Sequence, residues 1–226
     1  MKNIKIVSCT RHSAETVRET PLYKSIQDLK DLNIELEFIY NNAESLSKVY
    51  NKYLSLKDYD FVVFCHDDVY IDDGKLQHKL YNAYNKLGYN IIGIAGGLNP
   101  EIRYPALWHI MCSKNHHRGQ VATPVNGSFE IYTTTFGITP SRVVVADGCF
   151  LAIHLPSIQK TSWKFNENYS FHHYDIASCI DANSLKLKIG VYPIYIIHSS
   201  PGLTSLDDPV WSPSNVKFLK EYTKLE

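Results

Sequence analysis

Phe61-Val62-Val63-Phe64-Cys65-His66-Asp67-Asp68-Val69 is a run of β-branched and aromatic residues that ends in two adjacent carboxylates. An apolar run of this length, bounded by polar residues, reads as a central parallel strand. In open α/β sheets ligands sit beyond the carboxyl ends of the strands, so the Asp pair stands where a divalent metal would be held. The plainer alternative is that Asp-Asp caps the next helix, as Asp72 and Asp73 are expected to do. What favours the metal is the rest of the chain.

Strand and helix patterns alternate on both sides of this stretch. Strand Ile4 to Cys9 precedes a helix with Leu22, Ile26 and Leu29 on one face, and strand Ile34 to Tyr40 precedes a helix carrying Leu46, Val49, Tyr50, Tyr53 and Leu54. After the Asp pair, a helix with Leu76, Leu80, Ala83, Tyr84 and Leu87 inward stops at Gly88 and leads into strand Ile91 to Ala95. This β-α-β series predicts a mostly parallel sheet with helices on both faces and right-handed crossovers. The second half is less regular. Gly96 to Asn126, rich in Pro, His, Trp and Asn, reads as a loop-rich insertion that serves as a binding loop or lid. It is followed by an alternating run Phe129 to Phe136, by Val143 to Ile153 interrupted at Asp147-Gly148, and by a helix after Asp175 with Ile176, Cys179 and Ile180 inward. Strand Ile189 to Ile197, the segment His198 to Gly202 and a short helix Asn215 to Tyr222 complete the chain. Trp211-Ser212-Pro213 either folds over the site or packs on the sheet.

The 226 residues suit one domain, 1–226. Lys and Arg number 23 and so do Asp and Glu, a balance that removes the electrostatic case for a nucleic-acid partner. A nucleotide ligand remains open, because a metal can supply the positive charge. Cys9, Cys65, Cys112, Cys149 and Cys179 are odd in number and mostly inside apolar runs, as expected of buried reduced thiols. No apolar stretch is long enough to span a bilayer and the N-terminus runs directly into a strand, so a cytoplasmic protein without a transmembrane segment is expected.

Asp67-Asp68, Asp175 and His198 are three polar groups that end apolar strands or begin helices. Two carboxylate oxygens and one imidazole suit Mn²⁺ or Mg²⁺, with phosphate filling the remaining positions. The alternative for His198 is a hydrogen-bonded loop histidine, and that for Asp175 a simple helix cap. The start of a helix would keep Asp175 ionised through the helix dipole.

The order of these elements resembles a family 2 glycosyltransferase of the GT-A fold over most of the chain. The resemblance implies an α/β, Rossmann-like architecture with a mostly parallel central sheet and a smaller mixed sheet on the acceptor side. Residues 1–97 would form the nucleotide-binding half and 98–226 the acceptor-binding and catalytic half. Ser8-Cys9-Thr10-Arg11 would cradle the base, Asn41-Asn42 would lie near base or ribose, and a helix with Tyr50-Asn51-Lys52 would follow. The family's metal motif is usually Asp-x-Asp, whereas this chain has His66-Asp67-Asp68. By position Asp68 corresponds to the metal ligand, with His198, and Asp67 would hold ribose, assist the metal or orient the loop. The variant resembles a small bacterial and viral subgroup of glycosyltransferase-like proteins.

By the same resemblance Asp175 would be the base that deprotonates the acceptor, and Glu167, the competing carboxylate, would meet acceptor or solvent. Asp147-Gly148 would lie close to the donor sugar or diphosphate, unless it only marks a bulge. Trp108, His116, His117 and Arg118 fall in the segment where such enzymes bind acceptors, and His172 and His173 flank the base, His173 being counted with the sugar-side residues. The implied activity is metal-dependent, inverting transfer of a sugar from a nucleotide diphosphate to a saccharide or other glycan. UDP comes first among donors, then dTDP or GDP. A lipid-linked acceptor would add a peripheral membrane contact. The competing classes are a metal-dependent phosphoesterase or nucleotidyl hydrolase and a non-catalytic nucleotide- or glycan-binding domain.

Overall fold

A computed structural model describes residues 3–29, 34–125, 130–200 and 202–223. The first strands and helices form where expected: β1 (Asn3–Cys9), α1 (Pro21–Asp28), β2 (Ile34–Ile39), α2 (Leu46–Tyr53) and β3 (Tyr59–Cys65). Thr20 caps α1 by accepting the Tyr23 N–H, and Pro21 occupies the first turn, where its missing donor costs nothing. β4 (Val69–Ile71) follows the His-Asp-Asp turn, and α3 (Leu76–Leu87) ends at Gly88, which is left-handed at φ 73°. Leu76, Leu80 and Ala83 are fully buried, but Leu87 faces outward and Tyr84 stacks on His154. Asp73 does accept the Lys75 N–H just before α3.

Past this point the strands are shorter than the sequence suggests. Ile91 to Ala95 divides at Ile94 into β5 (Ile91–Gly93) and β6 (Ala95–Gly97). The expected insertion contains α4 (Trp108–Met111) and a full strand, β7 (His117–Pro124), paired with β8 (Ile131–Gly137). Phe129 and Asn126, bounds of two expected segments, lie outside the described residues, as does Pro201. Next come β9 (Ser141–Val143), β10 (Val145–Ala146), β11 (Phe150–His154), α5 (Leu155–Ile158), α6 (Tyr174–Ser184), β12 (Ile189–Val191), β13 (Ile196–His198) and α7 (Trp211–Tyr222). The last helix begins at Trp211 rather than Asn215. Pro213 is tolerated there because backbone donors in a first turn have no intrahelical partner.

The large sheet has the order β2-β1-β3-β11-β5-β12-β9, and the smaller one β10-β6-β7-β13-β4 with β8 added to β7. β1 runs parallel to β2 and β3, and β5 parallel to β12, whereas β11 is antiparallel to both β3 and β5. The fold is therefore the expected α/β type, with a mostly parallel central sheet and a second, mixed one. Its two sheets are continuous in chain: β5 passes to β6, β9 to β10 and β12 to β13, each crossing from the large sheet to the small. β11, from the second half, sits between two strands of the first. The division at residue 97 is consequently not a structural boundary. Among the described residues no helix is long and apolar enough to cross a membrane.

Candidate active site

β3 delivers His66-Asp67-Asp68 to its carboxyl end, and the turn is fixed by its backbone. The His66 N–H donates to the Cys149 carbonyl and the Ser199 N–H to the Asp68 carbonyl. β13 runs antiparallel to β4 with His198 opposite Val69, which sets the imidazole beside Asp68. His66, Asp68 and His198 offer ligand atoms that all lie within 4.8 Å of one another. His198 Nε2 stands 3.2 Å from Asp68 Oδ1, and His66 Nδ1 stands 3.9 Å from the same oxygen. Asp68 Oδ1 and His198 Nε2 are inaccessible to solvent, and neither makes a well-formed hydrogen bond. Two buried polar atoms facing each other without a proper bond are what a cation between them would satisfy. Burial works against a charged Asp68, but His198 and then His66 hold its carboxyl below the ordinary value. Burial likewise opposes the His198 charge, and Asp68 overrides it to raise that imidazole. Burial lowers His66. The donor set fits a divalent ion.

Asp67, expected among the ligands, is not one of this trio. Its carboxylate accepts the Thr10 hydroxyl, on the side of a hollow of about 470 Å³ lined by Arg11, His12, Leu46, Tyr50 and Phe171. The three residues form a turn that the Val69 N–H closes on the His66 carbonyl, and within it the Asp67 side chain is held by Thr10 while His66 and Asp68 face His198. A larger cleft of about 700 Å³ opens onto Thr10, Arg11, Asn42, Asp68, His198 and Trp211. Ser8 does not line either hollow: it is fully buried, and its hydroxyl has no partner. Asn41 adopts φ 47° and donates its N–H to the His12 carbonyl. Asn42 closes a turn through its side chain onto Glu44.

Asn51 and Glu167 are not brought to either hollow. Asn51 clamps the segment after α5, accepting the Phe165 N–H at 2.8 Å and donating to the Phe165 carbonyl and to Glu167 at 3.0 and 2.9 Å. Glu167 lines a separate depression with Trp163 and Asp181. His117 is buried with Nε2 against the Cys112 carbonyl, and Arg118 donates to the Asn115 and His117 carbonyls, so both serve the loop around them. His116 Nδ1 likewise pairs locally, with the Ser113 hydroxyl.

The second centre is a pair of carboxylates beside a small cavity of about 160 Å³ that also touches His66, Trp108, His173 and Trp211. Asp147 accepts the Cys149 N–H and the indole N–H of Trp108, each at 2.9 Å. Trp108, 6% exposed, thus orients Asp147 and presents little ring to a sugar. Burial tends to raise Asp147, but the Cys149 N–H and the nearby His198 hold it below its ordinary value. Asp175, in the first turn of α6, accepts the Gly148 N–H at 2.9 Å. Contrary to the dipole expectation, burial first and the Asp147 charge second push it up to about 7. Two neighbouring carboxylates with acidities driven apart are the pattern of an acid–base site. Gly148 is needed for protein packing: a Cβ there would lie 2.5 Å from the Tyr174 hydroxyl and 2.9 Å from Asp175 Cβ. His173, left-handed at φ 66°, is buried with Nδ1 on the Ser214 hydroxyl and Nε2 without a partner. Burial lowers it to about 4. Tyr174, which was not among the expected site residues, links the two centres. Its hydroxyl meets His66 Nε2 at 3.2 Å and donates to the Gly148 carbonyl at 2.8 Å.

A family model described as "Glycosyltransferase like family" matches residues 5–222. The chain belongs to that family. No curated protein matches it. Among solved structures, the A197 protein from STIV superposes with a TM-score of 0.50 at 11% identity, covering 90% of this chain and 97% of that one. Residues 1–349 of S. aureus TarS in complex with UDP give 0.52 at 12% identity, covering 96% and 64%. The same fragment with UDP-GlcNAc gives 0.50 at 12%, covering 91% and 61%. The chain therefore spans under two thirds of the TarS fragment. At these identities the likeness is one of fold, the GT-A type.

Proposed function

We propose that this member of the family is a metal-dependent, inverting glycosyltransferase that takes its sugar from a nucleotide diphosphate, UDP before dTDP or GDP, and gives it to a glycan hydroxyl. The observation that carries the reading is that the metal trio and the raised carboxyl of Asp175 open onto adjoining hollows that share His66, Leu107, Phe171, His172 and Trp211. The UDP and UDP-GlcNAc complexes of TarS, a protein of the same fold, support the choice of donor. Arg11, Asn42 and the Thr10–Asp67 pair would meet base and ribose.

A divalent ion held by His66, Asp68 and His198 would stabilise the charge of the departing diphosphate. In the transfer itself the bond from the anomeric carbon to the diphosphate breaks while the acceptor oxygen bonds to that carbon from the opposite face. The hydroxyl proton passes to Asp175, whose acidity near neutrality suits a base that must both accept and release it. Asp147, kept ionised, maintains that acidity.

A two-metal hydrolase would need a second ligand cluster, and among the described residues there is one group of three. The test is calorimetric titration of UDP with Mn²⁺ and then with EDTA, for the wild type and Asp68→Ala. Binding that requires metal and is lost in the variant, followed by sugar transfer from a UDP-sugar, supports the reading. Phosphate release without any acceptor would replace it with the hydrolase, and metal-independent UDP binding without turnover with a non-catalytic domain.

A further inference from the structure

We propose that the end of the molecule opposite the candidate active site is a docking surface for an anionic lipid bilayer. The proposal does not rest on the transferase reading. Charge is balanced over the whole chain, 23 cations against 23 anions, yet segments 76–90, 131–146 and 182–206 contain no Asp or Glu. The fold brings parts of these three segments together. β5 and β12 run in the same sense as β3, so their amino ends lie at the end of the large sheet away from His66 and Asp68. α3 ends there with Lys86 and Leu87, and a Cβ on Gly88 would stand 3.4 Å from Lys188 Nζ. The Asn90 side chain accepts the Lys188 N–H at 2.8 Å. Asn183, near the end of α6, donates to the Val144 carbonyl at 2.8 Å, which ties Leu185 and Lys186 to the segment just after β9. Arg142 of β9 lies opposite Gly190 of β12.

Lys86, Arg142, Lys186 and Lys188 are all exposed, and among the described residues none of them makes an ion pair, whereas Lys5, Lys52 and Lys79 each do. Part of this charge has a structural explanation. Lys86 and Lys186 stand at the carboxyl ends of α3 and α6, where a cation offsets the helix dipole. Arg142 and Lys188 stand on or beside strands and have no such reason. Carboxylates on the flanking elements are turned elsewhere: Asp60 accepts the Tyr81 hydroxyl, and Asp181, one turn before Leu185, accepts that of Tyr222. Among the cations sit two leucines that face water, Leu87 at 37% exposed and Leu185 at 42%. Cations alone suit any polyanion, a nucleic acid included. Cations mixed with apolar side chains suit a bilayer, whose headgroups take the charges while the leucines enter the boundary beneath them. A protein docked in this way holds its cleft on the side away from the lipid.

The experiment is co-sedimentation of the whole protein with phosphatidylcholine vesicles, with and without about 30 mol% phosphatidylserine, at about 0.1 M salt. Binding is expected to require the anionic lipid. Each cation near such a surface strengthens binding about fivefold, so the triple variant Lys86→Ala, Lys186→Ala, Lys188→Ala should bind about a hundredfold more weakly. The double variant Leu87→Ser, Leu185→Ser keeps every charge and should still lose about tenfold. No binding to anionic vesicles, equal binding to neutral ones, or undiminished affinity in the triple variant overturns the proposal. Undiminished affinity in the leucine variant overturns the bilayer as partner, and heparin binding without vesicle binding replaces it with a soluble polyanion. Thermal melting shows whether each variant is folded. If one is not, the wild type decides: vesicle binding that disappears at about 1 M salt supports the proposal, and binding indifferent to salt and to phosphatidylserine overturns it.

Discussion

Replacing Asp175 by Asn should make the protein more stable at high pH while removing its activity. The magnitude follows from the surroundings of the carboxyl, which burial first and Asp147 second lift from 3.8 to about 7. In the unfolded chain this group loses its proton near pH 4, whereas the folded protein keeps it until about pH 7. Across that window the folded state binds the extra proton, so its stability falls as pH rises, by about 1.4 kcal/mol per pH unit. Over roughly three pH units this amounts to about 4 kcal/mol at most, fully expressed above pH 7. Asn keeps an oxygen to accept the Gly148 N–H and carries no charge. Urea unfolding of both proteins should therefore show a difference that favours the variant by about 3 kcal/mol more at pH 8 than at pH 5. Sugar transfer should drop about 10²- to 10⁴-fold, the usual worth of a general base. Stability curves that run parallel from pH 5 to 8 would refute the raised acidity of Asp175. Undiminished turnover would refute its role as base.

Asp147→Asn removes the charge that helps hold Asp175 up, so the acid limb of the kcat/KM profile should move down from near pH 7 by on the order of one pH unit; a stationary limb would show that burial acts alone. Gly148→Ala forces a methyl group against the Tyr174 hydroxyl and Asp175 Cβ, and thermal melting should register a loss of about 1–3 kcal/mol together with reduced turnover. Asn51→Ala removes the clamp on Phe165 and Glu167; it should cost about 1–3 kcal/mol in urea and leave UDP affinity unchanged by calorimetry, whereas lost affinity at full stability would return Asn51 to the nucleotide.

The first three strands and the three helices up to Gly88 were legible because each carries its period in a contiguous run of side chains, whereas β4, three residues long, is too short to show one. Ile94 shows where that legibility ends. Ile91 to Ala95 looks like one strand, but its residues are buried on every side in two sheets, so no alternation marks the crossing. β7 was missed for the opposite reason: it opens with His117-Arg118-Gly119-Gln120, which has no apolar side chain, a weak signal for a strand whose neighbours cover it. In the site, Asp68, Asp175 and His198 were readable as polar breaks at strand ends or helix starts. His66 was passed over because the turn that brings it beside Asp68 and His198 leaves no periodic mark in the sequence. Asn51 and Glu167 are distant partners, 116 positions apart in sequence, and no local pattern joins them. The acidity of Asp175 depends on Asp147 and on burial, both properties of the folded chain.

The insertion of β11 between β3 and β5 also bears on how the molecule is made. The strand that leads into His66 and Asp68 pairs along its length with residues 150–154, and His198 arrives later still. During synthesis, then, the N-terminal segment cannot complete its sheet when it leaves the ribosome. Its exposed β3 edge must wait for about ninety further residues, at elongation speeds of seconds rather than the milliseconds of local folding. In that interval the run Phe61 to Cys65 is an unpaired apolar edge of the kind that chaperones bind. The nascent chain is therefore most vulnerable at the strand that leads into His66 and Asp68.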